Sequence, residues 1–320
     1  MNSESSDFKP EDTTPEIIGK EAEAERQKEN APEKTIAQLE EEAKAEALRV
    51  RAAKKAQEEA DAALIRGEAV RGAFTFSDST QFKRLLKLLN DTVADEATFT
   101  LNSEGLHLIQ MDAARVSMVI LSIARDEFET FECFKPGKFA LNTEQLLKKG
   151  FKNVYKNEKV SFAIGYLKAT FMLQSSLNRT FPTYILDIDT SETPVPKIVF
   201  TSKAKVTMEG LRTVLRDVSD GNALEIKTGP DSILFQEHGD DAENPIHVAM
   251  KTGDAHLLTI EGPGARGLYS SIYLKAIAEA LAPLTDLVTI SHGDDMPLKL
   301  EPMIQHVKFE WYMAPRIETS

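Results

Sequence analysis

Two hydrophobic periods alternate along most of this chain. Phe82, Leu85, Leu86 and Leu89 recur three or four residues apart, which predicts one face of an α-helix, while Lys83, Arg84 and Lys87 fall on another face. Around that helix the period drops to two. Phe74 and Phe76 flank Thr75, Ala97–Leu101 alternates, Asn102–Gly105 reads as a turn, Leu106–Met111 alternates again, and Val116–Ile123 is a more continuous apolar strand. Alternation broken by Gly/Asn turns predicts antiparallel hairpins. A short strand at Phe139–Leu141, a helix over Thr143–Phe151, and strands at Lys159–Ala163, Ala169–Gln174 and Arg179–Asp187 complete this half.

Residues 187–198 contain Pro194 and Pro196 behind acidic and hydroxyl residues, which predicts a connector, because proline cannot sit inside a strand ladder. The pattern then restarts. Ile198–Met208 leads into a helix at Leu211–Val218, strands follow at Ala223–Lys227, Ser232–Glu237, Ile246–Met250 and Leu257–Ile260, a helix spans about Ile272 to Leu281, and strands lie at Leu287–Ser291, Leu298–Glu301 and Val307–Tyr312. Phe82 and Leu211 are 129 residues apart, and so are the starts of the second and fourth helices, near 143 and 272. A period this long predicts a duplicated domain in an α+β fold.

The four helices share a chemistry. Lys148, Lys149 and Lys152 accompany the second, Arg212 and Arg216 the third, and Lys275 the fourth, where Glu279 interrupts the basic stripe. A basic helix face is ordinarily a solvated face. Four of them at equivalent points, each with an apolar back that must pack on a sheet, predict one shared basic surface. The chain as a whole is acidic, with 38 Lys and Arg against 51 Asp and Glu, a net charge of −13. It should be repelled by nucleic acid unless its cations are gathered, so their placement matters more than their number.

Residues 1–70 stand apart. Met1 to Gln38 is rich in Glu, Lys, Ser, Pro and Thr and predicts disorder. Ile36 to Arg66 is rich in Ala, Glu, Lys and Arg without a sustained heptad, which predicts a solvated helix ended by Gly67. This leader holds 18 acidic and 11 basic residues, about half of the net charge. The expected domains are therefore the leader at 1–70, a first domain at 71–186, the connector at 187–198 and a second domain at 199–320.

Other chemistry is thin. Cys133 is alone, so neither a disulfide framework nor a cysteine zinc site is expected. The six histidines, at 107, 238, 247, 256, 292 and 306, lack metal-ligand spacing. Asp240 and Asp241 sit in GDDAENP, an ordinary acidic turn, and Gly262–Gly267 reads as a loop without a Walker setting. No nucleophile–base pair stands out, so no enzyme, metal or cofactor is expected. No apolar run approaches a membrane span, and the polar N-terminus lacks a secretory h-region, which predicts a soluble intracellular protein.

GLHLIQMDAARVSMV (Gly105–Val119), MPLKLE (Met296–Glu301) and WYMAPRIE (Trp311–Glu318) resemble the DNA sliding clamps of the proliferating cell nuclear antigen type, archaeal ones in particular, over about 250 residues from Arg71 to Glu318. The resemblance implies a DNA-clamp fold of two duplicated domains, with sheet outside and two helices inside each. Three subunits would form a pseudo-sixfold ring around duplex DNA, a processivity factor located in the cytoplasm of an archaeon or the nucleus of a eukaryote. It places Lys83, Arg84, Lys87, Lys148, Lys149, Lys152, Arg212, Arg216 and Lys275 along the bore. It implies an outer pocket for the interacting peptides of DNA polymerase, clamp loader, flap nuclease and ligase. Here the pocket maps to Met111, Arg115, Met118, Val195, Pro297, Tyr312, Ala314 and Pro315, with Arg115 where eukaryotic relatives commonly carry histidine and Thr193 where a large aliphatic residue is frequent. The subunit interface maps to Arg179, Phe181 and Tyr184 on one edge strand and Ile246 and Val248 on another. A self-sufficient homotrimer, a subunit of a heterotrimeric or checkpoint-type clamp, a DNA-modifying enzyme with a basic groove, and an interaction protein whose working part is the leader all stay open.

Overall fold

Local chemistry sets the first elements. β1 (Gly72–Phe76) buries Phe74 and Phe76 on one face, and Asp78 then stops the strand and caps α1 (Ser79–Thr92), its carboxylate accepting from the Thr80 and Gln81 N–H groups at 2.8 and 3.1 Å. Such a cap contributes about 1 kcal/mol. α1 buries Phe82, Leu85, Leu86, Leu88 and Leu89. Each of these side chains contributes roughly 1.5–3 kcal/mol on leaving water. The structure, a computed structural model, describes residues 44, 46, 47, 70–93, 95–187, 193–239 and 246–317. The expectations for the leader fall outside these residues, apart from Lys44, Glu46, Ala47 and Val70, as do Asp240, Asp241 and positions 188–192 of the connector. The chain divides into two units, Met1–Glu59 and Ala60–Ser320, and every element named below belongs to the second.

The remaining elements of the first half are β2 (Glu96–Asn102), β3 (Gly105–Met111), β4 (Ser117–Ala124), β5 (Thr130–Cys133), β6 (Gly137–Asn142), α2 (Thr143–Lys149), β7 (Lys159–Ile164), β8 (Lys168–Gln174) and β9 (Arg179–Tyr184). The second half repeats them as β10 (Ser202–Thr207), α3 (Met208–Asp217), β11 (Ala223–Thr228), β12 (Ser232–His238), β13 (His247–Lys251), β14 (Leu257–Glu261), β15 (Ala265–Ser270), α4 (Ser271–Leu281), β16 (Leu287–His292), β17 (Leu298–Pro302) and β18 (Lys308–Met313). Two strands are missing from the sequence reading. β5 is too short and polar to show a period. β15 begins inside the supposed Gly262–Gly267 loop, of which only the start is a turn. Gly262 has φ 100°, and a Cβ there would lie 2.0 Å from the Thr201 carbonyl oxygen. The third helix also starts earlier than its apolar spacing suggests, at Met208, because the Thr207 hydroxyl caps it through the Gly210 N–H at 3.1 Å.

Among the described residues all strand pairs are antiparallel, and they form three sheets. A nine-stranded sheet runs β14-β10-β16-β17-β18-β4-β3-β2-β6, with its two halves joined where β18 meets β4. A five-stranded sheet runs β5-β1-β7-β8-β9, and a four-stranded sheet runs β13-β12-β11-β15. Under the duplication, these smaller sheets are the two pieces of the same nine-stranded order, separated where the counterpart of the β18–β4 junction would be. At that separation their outermost strands are β9 and β13, and at their other ends β5 and β15. The helices lie side by side in the order α2-α1-α4-α3, and their buried faces share one core with the sheets. In the first half that core is a run of phenylalanine rings. Phe82, Phe151, Phe171 and Phe181 stack at successive centroid distances of 5.9, 5.3 and 5.2 Å, linking α1 to the edge strand β9.

His292, on β16, is fully buried, with Nε2 3.1 Å from the Thr228 hydroxyl oxygen. Burial pushes its pKa down to about 4 against an opposing pull from Asp294. The unfolded chain takes up this proton near the ordinary value of 6.5, so the contribution to stability is full above pH 6.5 and is lost as pH falls to about 4. A shift of this size corresponds to about 3 kcal/mol. Thermal melts at pH 7.5 and 4.5 should show a smaller acid destabilisation in His292→Gln than in the parent chain. Equal losses in both would remove the assignment.

Candidate functional site: a cationic helix layer, an outer apolar row and two free edges

The helices bury their apolar faces in one core, so their polar faces look away from the sheets on a common side. All nine cations expected in the bore lie on these helices or, for Lys152, three residues beyond α2. The structure sorts them by what they already hold. Lys87 pairs with Asp91, and Lys148 with Glu144 at 2.5 Å. Lys275 pairs not with Glu279 but with Asp220 at 2.5 Å, also donating to the Val218 carbonyl at 2.6 Å. Glu279 instead takes a two-pronged contact from Arg212 at 2.9 and 2.7 Å, which holds its carboxyl below the ordinary range. Glu279 thus interrupts the basic stripe by offsetting Arg212 on the neighbouring helix. Lys83 donates to the Lys152 carbonyl at 3.1 Å. Arg84, Lys149, Lys152 and Arg216 have exposed side chains and no ion pair among the described residues. The positive charge of this layer that no carboxylate offsets therefore rests on Lys83, Arg84, Lys149, Lys152 and Arg216, four of them in the first half.

On the opposite face of the nine-stranded sheet, registers bring Met111 beside Met118, Met118 beside Tyr312 and Tyr312 beside Lys299. These residues belong to different strands far apart in sequence, and the ladder makes them one row. Tyr312 is 9% exposed, and its hydroxyl donates to Glu310 Oε2 at 2.6 Å. Burial first, then that carboxylate, pushes the phenol pKa well up. Ala314 continues from β18 and donates its N–H to the Val116 carbonyl at 2.9 Å, with Pro315 next to it. Arg115 occupies a left-handed turn position (φ 57°) in a loop organised by Asp112, which accepts from the Val116 and Ser117 N–H groups. Pro297 stands just before β17. Val195 lies on the connector, 44% exposed, without a hydrogen bond to the row. Phe200 escaped the sequence reading. Its ring lies 6.4 Å from that of Tyr312, and Lys299 sits 5.3 Å from its centroid. A large aromatic just after a proline-rich connector was the available signal.

The expected interface residues lie on β9 and in or beside β13, each of which is the outermost strand of its sheet. Arg179 is committed within the chain. It forks onto Glu158, which is fully buried, at 2.7 and 2.9 Å, donates to the Asn153 carbonyl at 2.8 Å and covers the Tyr155 ring. Phe181 stacks on Phe171, while Tyr184 is 69% exposed under Lys168. Ile246 and Val248 are half-buried. Among the described residues no cluster of three or more potential metal ligands occurs, and no helix is long and apolar enough to cross a membrane.

Comparison with known proteins agrees with this geometry. Residues 73–175 match the profile of the family described as proliferating cell nuclear antigen, N-terminal domain. The chain is 25% identical over 245 residues to the DNA polymerase sliding clamp of Cenarchaeum symbiosum, covering 76% of this chain and 97% of the relative. It is 26% identical over 247 residues to DNA polymerase sliding clamp 1 of Pyrobaculum aerophilum, covering 76% and 98%. Among solved structures, the PCNA of Thermococcus kodakaraensis superposes with a TM-score of 0.71 at 25% identity, over 77% of this chain and all of the other. That of Entamoeba histolytica gives 0.70 at 20% identity over 78% and 100%, which speaks for the fold. Its duplicated sheets and helices span nearly the whole length of these relatives, and the chain is similar in sequence and fold to the proliferating cell nuclear antigen family.

Proposed function

We propose that this chain is a DNA sliding clamp, a processivity factor whose subunits close into a ring of three around duplex DNA. The observation that carries the reading is the topology. A five-stranded and a four-stranded sheet, each ending in a free edge, are the two separated pieces of a nine-stranded sheet that the chain completes once internally. Joining β9 of one subunit to β13 of the next restores that sheet, removes both edges and turns the helix layer toward a common bore. Within the bore, exposed cations meet phosphates without reading bases, so the ring is retained by topology while it slides. The row of Met111, Met118 and Tyr312 offers apolar ground for an aromatic-bearing peptide of a polymerase, ligase or nuclease, with Val195, Pro297, Ala314, Pro315 and Arg115 at its margin. The chain acts as a scaffold, not a catalyst. Its clamp domains run over 71–186 and 199–320, joined by the connector at 187–198 and preceded by the leader.

Light scattering tests the ring. The chain has a mass of 35.5 kDa, so a trimer should weigh about 106 kDa. That mass, with stimulation of primer extension by a family polymerase on circular DNA, is the expected result. A trimer that leaves processivity unchanged would overturn the clamp reading.

A further inference from the structure

We propose that the end of the five-stranded sheet nearest the connector is a second docking site, shaped for an extended acidic peptide with apolar anchor residues. It is separate from the outer row and does not depend on ring closure.

The strand order gathers the site. Neighbours in this sheet are antiparallel, so the end of β5, the start of β1, the end of β7, the start of β8 and the end of β9 fall on one side. The pairs Gly72–Cys133, Gly72–Ile164, Ile164–Ala169 and Lys168–Tyr184 fix this. Phe134 and Lys135 both donate their N–H to the Arg71 carbonyl, at 2.9 and 2.8 Å, which folds the tail of β5 over the start of β1. The β7–β8 turn adds Tyr166 and Leu167 to the same rim.

This rim is apolar and cationic at once. Phe134 is 60% exposed and Leu167 70%, with Tyr166 and Val70 also open to solvent. Contiguous exposed apolar ground rimmed by polar groups marks a contact surface. Arg71 lies 5.4 Å and Lys135 5.8 Å from the Tyr166 ring centroid, and Lys168 lies 5.2 Å from that of Tyr184, which borders the expected subunit interface. None of these three cations has a carboxylate partner among the described residues. Arg71 is held in place, its guanidinium donating to the Lys138 carbonyl at 3.0 Å. Gly137 leaves it room, since a Cβ there would lie 2.1 Å from Nη2. In a chain of net charge −13, uncompensated cations around exposed apolar side chains complement a partner that carries carboxylates and apolar groups together.

The duplication supplies a control. The order β5-β1-β7-β8-β9 repeats in the second half as β14-β10-β16-β17-β18. There the turn between β16 and β17 carries Asp294 and Asp295, where the β7–β8 turn carries Tyr166 and Leu167. Gly262 and Pro263 follow β14, where Phe134 and Lys135 follow β5. The fold therefore does not require Phe134, Lys135, Tyr166 or Leu167 at these places.

The occupant crosses the strand ends rather than adding a strand. The Gly165 N–H donates to the Lys168 carbonyl at 2.9 Å and the Ile185 N–H to the Leu167 carbonyl at 3.0 Å, so recognition falls to side chains. Neighbouring strands lie about 4.8 Å apart, so five strand ends span about 19 Å, the reach of roughly six extended residues. Single-stranded nucleic acid fits less well. Bases stack on open ring faces in succession, and here cations sit over Tyr166 and Tyr184, leaving Phe134.

Fluorescence anisotropy of the labelled hexapeptide Glu-Leu-Glu-Phe-Glu-Leu with the full-length chain at low salt tests the site. Saturable binding is expected. Lys135→Glu with Lys168→Glu should weaken it by about tenfold, and so should Phe134→Ser with Leu167→Ser. All four positions are exposed, so melting temperature and light-scattering mass should stay at the parent's values. Tyr312→Ala, which alters the outer row, should bind the probe as the parent does. Absence of saturable binding, affinity unmoved by both double variants, or loss with Tyr312→Ala would overturn the proposal. Tighter binding of hexathymidine than of the peptide, lost in the same double variants, would overturn it in favour of a nucleic-acid site. The ring reading is judged separately, by the mass of the parent.

Discussion

Replacing Arg84, Lys149 and Lys152 together by glutamate is expected to abolish processive synthesis near physiological salt while leaving the melting temperature and oligomeric mass unchanged. These side chains are exposed and hold no ion pair within the described residues, so nothing in the fold is lost with them. Each is free to meet a phosphate, and each phosphate contact released flattens the dependence of log affinity on log salt by about 0.9. Reversing three charges also adds repulsion, so a loss on the order of 10²–10³ in loaded clamp is expected. Reversing Lys87 and Lys148 instead should cost less, because Asp91 and Glu144 already neutralise them. Primer extension on circular DNA across a salt series reads both effects. Undiminished synthesis by the triple variant would remove the helix layer as the DNA-facing surface.

Tyr312→Ala should weaken binding of a short peptide carrying two aromatic anchors by about 2–4 kcal/mol, a loss of roughly 30- to 1000-fold. The ring lies at the centre of the outer row, between Met118 and Lys299 and near Phe200. Its removal takes away one wall for an aromatic guest rather than a rim contact. Tyr312→Phe keeps that wall and loses only the hydroxyl bond to Glu310, so it should retain most of the affinity. Calorimetry with both variants, together with their trimer mass, separates loss of the wall from loss of the fold. Equal affinity for parent and alanine variant would move the peptide site elsewhere.

Helices with one apolar face were legible because burial imposes a period of 3.6, and most strands because a half-buried sheet imposes a period of 2. β5 and β15 were not, since a short strand with few apolar residues carries no period of its own and forms only because neighbours supply its ladder. The nine cations were visible as residues. Their division into paired and available ones was not, because Arg212 reaches Glu279 and Lys275 reaches Asp220 across tens of residues of chain. Phe200 went unnoticed for the same reason, as its neighbour Tyr312 is more than a hundred residues away.

Taken by itself, the sequence determined the duplication, the element types, the basic helix faces and the motifs that resemble the clamp family. Those properties depend on spacing along the chain and on which residues seek or avoid water. Tertiary structure alone decided that one pair of half-sheets fuses at β18 and β4 while the other pair ends in open strands. The physical reason is geometric. Local sequence favours a strand, but which partner completes its hydrogen bonds depends on where the fold brings another edge, and here β9 and β13 end their sheets where β18 and β4 join theirs.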